Sequence, residues 1–198
     1  DRQEEEVSPA EDLMREHGVL DRILLIYEDV LGRFEPARDV DPGALRDAAK
    51  IVRDFIENYH EKLEEDHLFP RFEKSGKLVD VVRVLRDQHQ AGRVLTDQIE
   101  QQSTVLSSKN GNDRKKLETP IKAFIRMYRP HVAREDTVLF PAFRGLVSPS
   151  EYDALGEQFE DQEHKLFGDD GFEKIVQQVS EIERRLGIED LAQFTPKA

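Results

Sequence analysis

The sequence contains no cysteine among its 198 residues. Disulfides, thiolate zinc sites, iron–sulfur clusters and cysteine nucleophiles are therefore excluded, and any metal must be bound by nitrogen and oxygen ligands. No run of apolar residues approaches the ~18 to 20 that a membrane-spanning helix needs. We accordingly expect no membrane partner.

Basic residues are also few: 29 Lys and Arg stand against 42 Asp and Glu, for a formal net charge of −13. A protein that neutralises phosphates needs a clustered basic face, and none is evident, so we expect neither nucleic acid nor anionic lipid as a partner. With 37% hydrophobic and 36% charged residues, the composition is typical of a globular protein. The first residue is Asp1 rather than Met, so the sequence leaves open whether a targeting segment has been removed. The expected compartment is the cytoplasm.

Runs of alternating β-branched residues are scarce, and helix signals recur, so the predicted fold class is all-α. Helix starts are marked by a capping residue followed by proline at Ser8, Asp41 and Ser148, and Glu11 and Glu151 are placed to complete capping boxes. These signals predict four long helices followed by a C-terminal pair. The predicted stops are Gly76, the Asn110-Gly111 turn, Gly145 and Gly187.

Each of the four long helices carries an apolar stripe at steps of three and four, and each stripe is interrupted by a histidine. A single histidine on such a stripe is more often a hydrogen-bonded core residue than a ligand. Four inward imidazoles with two inward carboxylates, if unpaired, would cost roughly 1 to 3 kcal/mol each, so the set favours a metal. The residues are His17, His60, Glu64, His89, His131 and Glu135.

The chain repeats itself at an offset of 71 residues, since HEKLEEDHLFPRF from His60 aligns with HVAREDTVLFPAF from His131. Glu64 then matches Glu135, and at an offset of 72 His17 matches His89. Two helical hairpins packed about a pseudo-twofold axis would bring the six side chains together, because residues four apart share a helix face. This predicts a dinuclear metal site. The ligand set suits iron, manganese or zinc, and oxygen chemistry favours iron.

At these residues the chain resembles the hemerythrin-like, or HHE cation-binding, family, whose pattern is His, His-x-x-x-Glu, His, His-x-x-x-Glu. The resemblance covers about Pro9 to Gly145, and the paired LFP segments make it specific. It implies an antiparallel up-down four-helix bundle that holds two iron ions with a bridging oxo or hydroxo group, and it makes Glu64 and Glu135 the bridging carboxylates. We therefore expect an acidic tail over 1–8, the bundle over 9–145, packed C-terminal helices over 146–187 and a tail over 188–198.

One departure from the family bears on function. The oxygen carriers have a further histidine four residues after their third-helix ligand, where this chain has Arg93, whose protonated guanidinium cannot ligate a metal. Two irons with open positions favour redox turnover over storage. We therefore predict binding of dioxygen, peroxide or nitric oxide for sensing or redox detoxification. A metal-responsive module without turnover and an oxygen carrier stay open as alternatives, and so do an enzymatic activity and a protein partner.

Three further residues are candidates for hydrogen bonding behind the ligands: His67, His164 and Arg93. The alternatives for His67 are that it reaches a metal or lies at the end of the bundle, and for His164 that it is on the surface. The alternatives for Arg93 are a salt bridge with an acidic residue such as Asp21 and the holding of an anion or peroxide near the irons. Pro130, directly before His131, predicts either a kink or a restart of the fourth helix. Both terminal segments are expected to be solvated.

Overall fold

The computed structural model describes residues 7–35, 38–107 and 111–197, and within these ranges it contains helices and no strand. The predicted all-α class is therefore confirmed. Helix α1 is Pro9–Gly32, α2 covers residues 42–75, α3 is Val79–Gln102, α4 covers residues 111–143, α5 is Pro149–Phe167 and α6 is Gly171–Leu186. Short 3₁₀ turns follow α3 at Ser103–Ser107 and α6 at Leu191–Phe194.

Helices α2 and α4 contain wider π-helical turns. Helix α2 is made of Pro42–Ile51, the π segment Val52–His60, Glu61–Leu63, the π segment Glu64–Leu68 and Phe69–Ser75. Helix α4 is made of Gly111–Arg134, the π segment Glu135–Leu139 and Phe140–Phe143. It continues through Pro130 without a break, so the predicted restart at this proline is wrong.

The helix ends follow the capping chemistry. The Ser8 hydroxyl accepts from the Glu11 N–H at 3.3 Å and the Glu11 carboxylate accepts from the Ser8 N–H at 3.2 Å, which confirms the first capping box. The Ser148 hydroxyl accepts from the Glu151 N–H, but the Glu151 carboxylate binds Arg71 instead, so the second box is only half formed. Gly76 and Gly187 end their helices with φ of 72° and 73°. Asn110 and residues 1–6 lie outside the described residues.

The first four helices enclose the core. Helix α1 contacts α2 and α4, and α3 contacts the same two helices, so each helix has two neighbours among the four. We call α1 with α2 the first half and α3 with α4 the second half. Helices α5 and α6 pack mainly on the first half. None of the described helices is both long and apolar enough to cross a bilayer.

Candidate metal centre

The structure brings together all six side chains that the sequence predicts as ligands. They project inward from α1 to α4, and none is more than 4% exposed. They are His17 from α1, His60 and Glu64 from α2, His89 from α3, and His131 and Glu135 from α4.

The four imidazoles form two pairs, one in each half of the molecule. The ring centroids of His17 and His60 are 4.7 Å apart, and those of His89 and His131 are 5.1 Å apart. Candidate ligand atoms of the first pair, Glu64 and Glu135 all lie within 4.8 Å of one another, as do those of the second pair and Glu135. Two adjacent groups of nitrogen and oxygen donors result.

The carboxylates lie between the two imidazole pairs. Glu64 places Oε1 3.6 Å from His60 Nε2 and Oε2 3.4 Å from His89 Nε2. Glu135 places Oε2 3.2 Å from His17 Nε2 and 3.1 Å from His131 Nε2. Each carboxylate therefore reaches both pairs, and Glu64 offers a separate oxygen to each.

Every imidazole in the cluster forms a hydrogen bond through Nδ1 with a side-chain oxygen outside the six clustered residues. Because all four partners are carboxylate or amide oxygens, each neutral imidazole carries its proton on Nδ1 and turns the Nε2 lone pair toward the cluster. The contacts are His17 to Asp136 at 2.7 Å, His60 to Glu16 at 2.6 Å, His89 to Glu65 at 3.0 Å and His131 to Gln88 at 2.8 Å.

These four acceptors also occupy matching positions in the two halves of the internal repeat. Glu16 and Gln88 each precede the histidine of the first helix in their half, and Glu65 and Asp136 each follow the carboxylate of the second helix. They are not among the residues predicted above, although their matching offsets of 72 and 71 residues are a signal in the sequence. The repeat thus preserves the ligands together with the groups that orient them.

Several polar atoms facing the centre are buried without a hydrogen bond. They include both oxygens of Glu64, both oxygens of Glu135, and Nε2 of His60 and of His89. A buried polar atom with no partner costs roughly 1 to 3 kcal/mol, so six such atoms around one centre would be a large penalty. Nitrogen and oxygen donors in this arrangement fit a metal cation.

The electrostatics of the cluster favour added positive charge. Burial raises the pKa of Glu64 well above its usual range, and the neighbouring charges of Glu135 and Glu61 raise it further. Burial opposes the charge of His17, yet the nearby carboxylates of Asp136 and Glu135 outweigh burial and raise its pKa to about 9. Acidic neighbours contribute to both shifts, and a bound cation would offset their charge.

Each cluster carboxylate begins a π-helical turn. The Phe69 N–H bonds to the Glu64 carbonyl and the Phe140 N–H bonds to the Glu135 carbonyl, five residues back in both halves. The next residue is proline in both, Pro70 and Pro141, which has no N–H to continue the α-helical pattern. Such turns are frequent at functional sites, and here they position the two glutamates.

Arg93 contacts the cluster through an outer acceptor. Its guanidinium lies 2.8 Å from Glu65 Oε1 and 3.1 Å from Glu61 Oε2. The suggested pairing with Asp21 is wrong, because the glutamates of α2 face Arg93 across the α2–α3 interface. Since Glu65 also accepts from His89, Arg93 fixes the group that orients this imidazole.

The structure does not bring the other two secondary candidates to the cluster. The His67 ring is half-buried against Phe159, with centroids 5.5 Å apart, and His164 is exposed on α5. Among the described residues, neither belongs to a group of possible metal ligands. Their places agree with the alternatives of a bundle-end and a surface histidine.

A surface cleft of about 320 Å³ adjoins the second imidazole pair. His131 and its acceptor Gln88 line it, so it leads toward the cluster from α3 and α4. The rest of the lining is mostly apolar and is made of Asp80, Val81, Val84, Leu85, Pro130 and Arg134.

A family model described as the hemerythrin HHE cation binding domain matches residues 8–143 and again 81–186. The chain belongs to the hemerythrin HHE cation-binding family. The first match includes all six clustered residues, and the buried cluster is compatible with the cation site of an HHE domain.

Curated relatives extend the similarity along most of the chain. Proteins of Mycobacterium bovis and of the CDC 1551 and H37Rv strains of Mycobacterium tuberculosis are each 51% identical to it over 195 residues. The matches cover 98% of this chain and 76% of each relative, and the three relatives are described as uncharacterized proteins. No solved structure matches significantly.

Proposed function

We propose that this HHE protein binds two iron ions and uses them to bind dioxygen or a related small ligand, peroxide or nitric oxide, for sensing or redox detoxification. One observation carries the proposal: four buried imidazoles each donate Nδ1–H outward and direct Nε2 at two buried carboxylates. Imidazole and carboxylate ligands suit iron, and oriented imidazoles are typical of built metal sites.

The two imidazole pairs define the proposed ligand assignment. His17 and His60 would hold one iron, His89 and His131 the other, and Glu64 and Glu135 would serve both. The proposed cofactor includes an oxo or hydroxo bridge. The scaffold that we propose for it is an antiparallel up-down four-helix bundle over residues 9–145, with the helices of 146–187 packed on it.

Iron bound here would supply one-electron chemistry. The chain contributes a buried pocket, imidazole nitrogens fixed in orientation, and two carboxylates that balance the charge of the ions. Arg93 occupies the position of the carriers' extra histidine and is bound to Glu61 and Glu65, so it offers no further nitrogen. Each iron would thus receive two histidines, and this equal coordination supports turnover of the ligand over reversible transport of it. The cleft beside His131 provides an approach for a small ligand.

Anaerobic spectroscopy of the iron-loaded protein tests this function. Reduced protein mixed with air should oxidise without reversing under vacuum. With a chemical reductant supplied in excess, added peroxide or nitric oxide should be consumed catalytically. An oxygenated absorption spectrum that reverses under vacuum would establish a carrier and contradict the argument from Arg93. A rise in melting temperature with iron, without turnover of any of the three ligands, would instead establish a metal-responsive module.

A further inference from the structure

A second group of acidic side chains lies where α1 meets α5. Asp12 and Glu16 come from α1 and Glu163 from α5, and one carboxylate oxygen of each lies within 4.8 Å of the others. No imidazole belongs to this group, in contrast to the cluster described above. We refer to these three residues as the acidic triad.

The acidic triad includes a buried oxygen without a hydrogen bond. Glu16 is not exposed at all, and its Oε2 accepts from His60 Nδ1 at 2.6 Å. Its other oxygen, Oε1, is buried and has no hydrogen-bond partner. The Tyr59 hydroxyl also has no hydrogen-bond partner, although it lies close enough to the Glu16 carboxylate to interact with it. A buried carboxylate oxygen left this way is costly unless a cation or a proton satisfies it.

Positive charge near the acidic triad is scarce. The Asp12 side chain is only 10% exposed, and its ion pair with the more exposed Arg15 is long, at 3.9 Å. Burial, reinforced by the charges of Glu16 and Glu163, raises the pKa of Asp12 to about 7. Three carboxylates at this separation repel one another, and a divalent cation would turn the repulsion into attraction.

The acidic triad is reached from a surface cleft of about 230 Å³. Asp12 and Glu163 line its wall, together with the further acids Glu160, Asp170 and Glu173. Arg15 and His164 are the basic residues of the lining. A cleft lined mostly by one sign of charge concentrates counter-ions, so this one favours the approach of cations.

We propose that Asp12, Glu16 and Glu163 form a second cation site, composed of oxygen ligands, that binds a hard divalent ion such as Mn²⁺. Carboxylate oxygens without nitrogen or sulfur suit Mg²⁺, Ca²⁺ and Mn²⁺, whereas the His/Glu cluster suits iron. Because the acidic triad needs no ion in the His/Glu cluster, the two sites can be tested separately. Glu16 links them, since it also orients His60.

The experiment isolates the second site in a Glu64→Gln/Glu135→Gln background, which weakens the His/Glu cluster. Free Mn²⁺ is followed by electron paramagnetic resonance during titration of the metal-free protein. We expect the background protein to retain one Mn²⁺ per chain. Adding Asp12→Asn and Glu163→Gln should weaken that binding at least about tenfold, because two charged ligands of a hard cation are lost. Glu160→Gln removes a carboxylate that lines the same cleft but lies outside the acidic triad, and it should leave the Mn²⁺ affinity unchanged.

Thermal unfolding in a chelator checks that the variants fold. Asp12→Asn/Glu163→Gln should melt at a higher temperature than its parent without metal, because repulsion is removed, and should gain less from Mn²⁺. Anomalous diffraction at the manganese edge from crystals of the unmodified protein gives an independent readout, with density expected between the three carboxylates. Equal Mn²⁺ affinity with and without the triad substitutions, or manganese density in the His/Glu cluster alone, would overturn the proposal.

Discussion

The two halves of the molecule share their metal-facing residues and differ in what lies behind them. Both carry the His and His-x-x-x-Glu ligand pattern, a π turn at the glutamate and an outer acceptor for each imidazole. At an offset of 72 residues, however, Asp12 matches Val84 and Glu16 matches Gln88. The position behind the second imidazole pair is therefore an apolar open cleft, and its counterpart in the first half is the acidic triad covered by α5.

This difference shows how a duplicated site can specialise without moving its ligands. The partner of His60 is a carboxylate, whereas that of His131 is an amide, which makes His131 the less basic ligand. The C-terminal helices also cover the first half and leave the cleft beside His131 open. We infer that the second half is the side from which a small ligand approaches.

The largest effect is expected when a carboxylate that the two halves have in common is removed. Glu64→Ala and Glu135→Ala should each weaken iron binding by more than about 100-fold, beyond the 10- to 100-fold typical of outer partners, because each carboxylate faces both imidazole pairs. Iron content after chelator challenge measures this, with the exposed Glu157→Gln as a control. Retention of both irons by either alanine variant would refute the bridging role.

A smaller effect should follow when the outer acceptors are exchanged. Gln88→Glu gives His131 a carboxylate partner like that of His60, so iron should be released to a chelator about tenfold more slowly. The opposite change, Asp136→Asn behind His17, should speed release by a similar factor. If both variants release iron at the rate of the unmodified protein, the acceptors do not tune the halves.

Filling the cleft tests whether the second half is the side of approach. Val84 is 48% exposed in the cleft lining, and Val84→Phe would narrow the path to His131. Nitric oxide should then bind to the reduced, iron-loaded protein severalfold more slowly in stopped-flow measurements. Val94→Phe, at a similarly exposed valine of α3 outside this cleft, is the matched control. Equal rates in both variants would place the approach elsewhere.

The smallest effect concerns packing in the second half. An added Cβ at Gly92 would collide with the Tyr128 hydroxyl, which donates to Glu61 at 2.6 Å. Gly92→Ala should therefore lower the free energy of unfolding by about 1 to 3 kcal/mol. Gly18→Ala in α1 meets nothing within 4 Å and should be neutral or stabilising by up to about 1 kcal/mol. Chemical denaturation compares the two variants. A Gly92→Ala variant with an unchanged free energy of unfolding would mean that Tyr128 can move freely.

The helices and the clustering of the six side chains could be predicted from the sequence, because capping residues, apolar spacing and the repeat all act locally or by symmetry. The π turns could not be predicted from Pro70 and Pro141, because a proline can also kink or end a helix. The pairing of Arg93 with Glu61 and Glu65 depends on how α2 and α3 are rotated against each other. The acidic triad depends on where α5 packs, which no repeat specifies.

Anomalous diffraction at the iron edge from crystals of the iron-loaded protein tests the central claim most directly. We predict two peaks of equal height, one beside Nε2 of His17 and His60 and the other beside Nε2 of His89 and His131, each within bonding distance of Glu64 and Glu135. A single peak, or iron bound away from these imidazoles, would contradict the account.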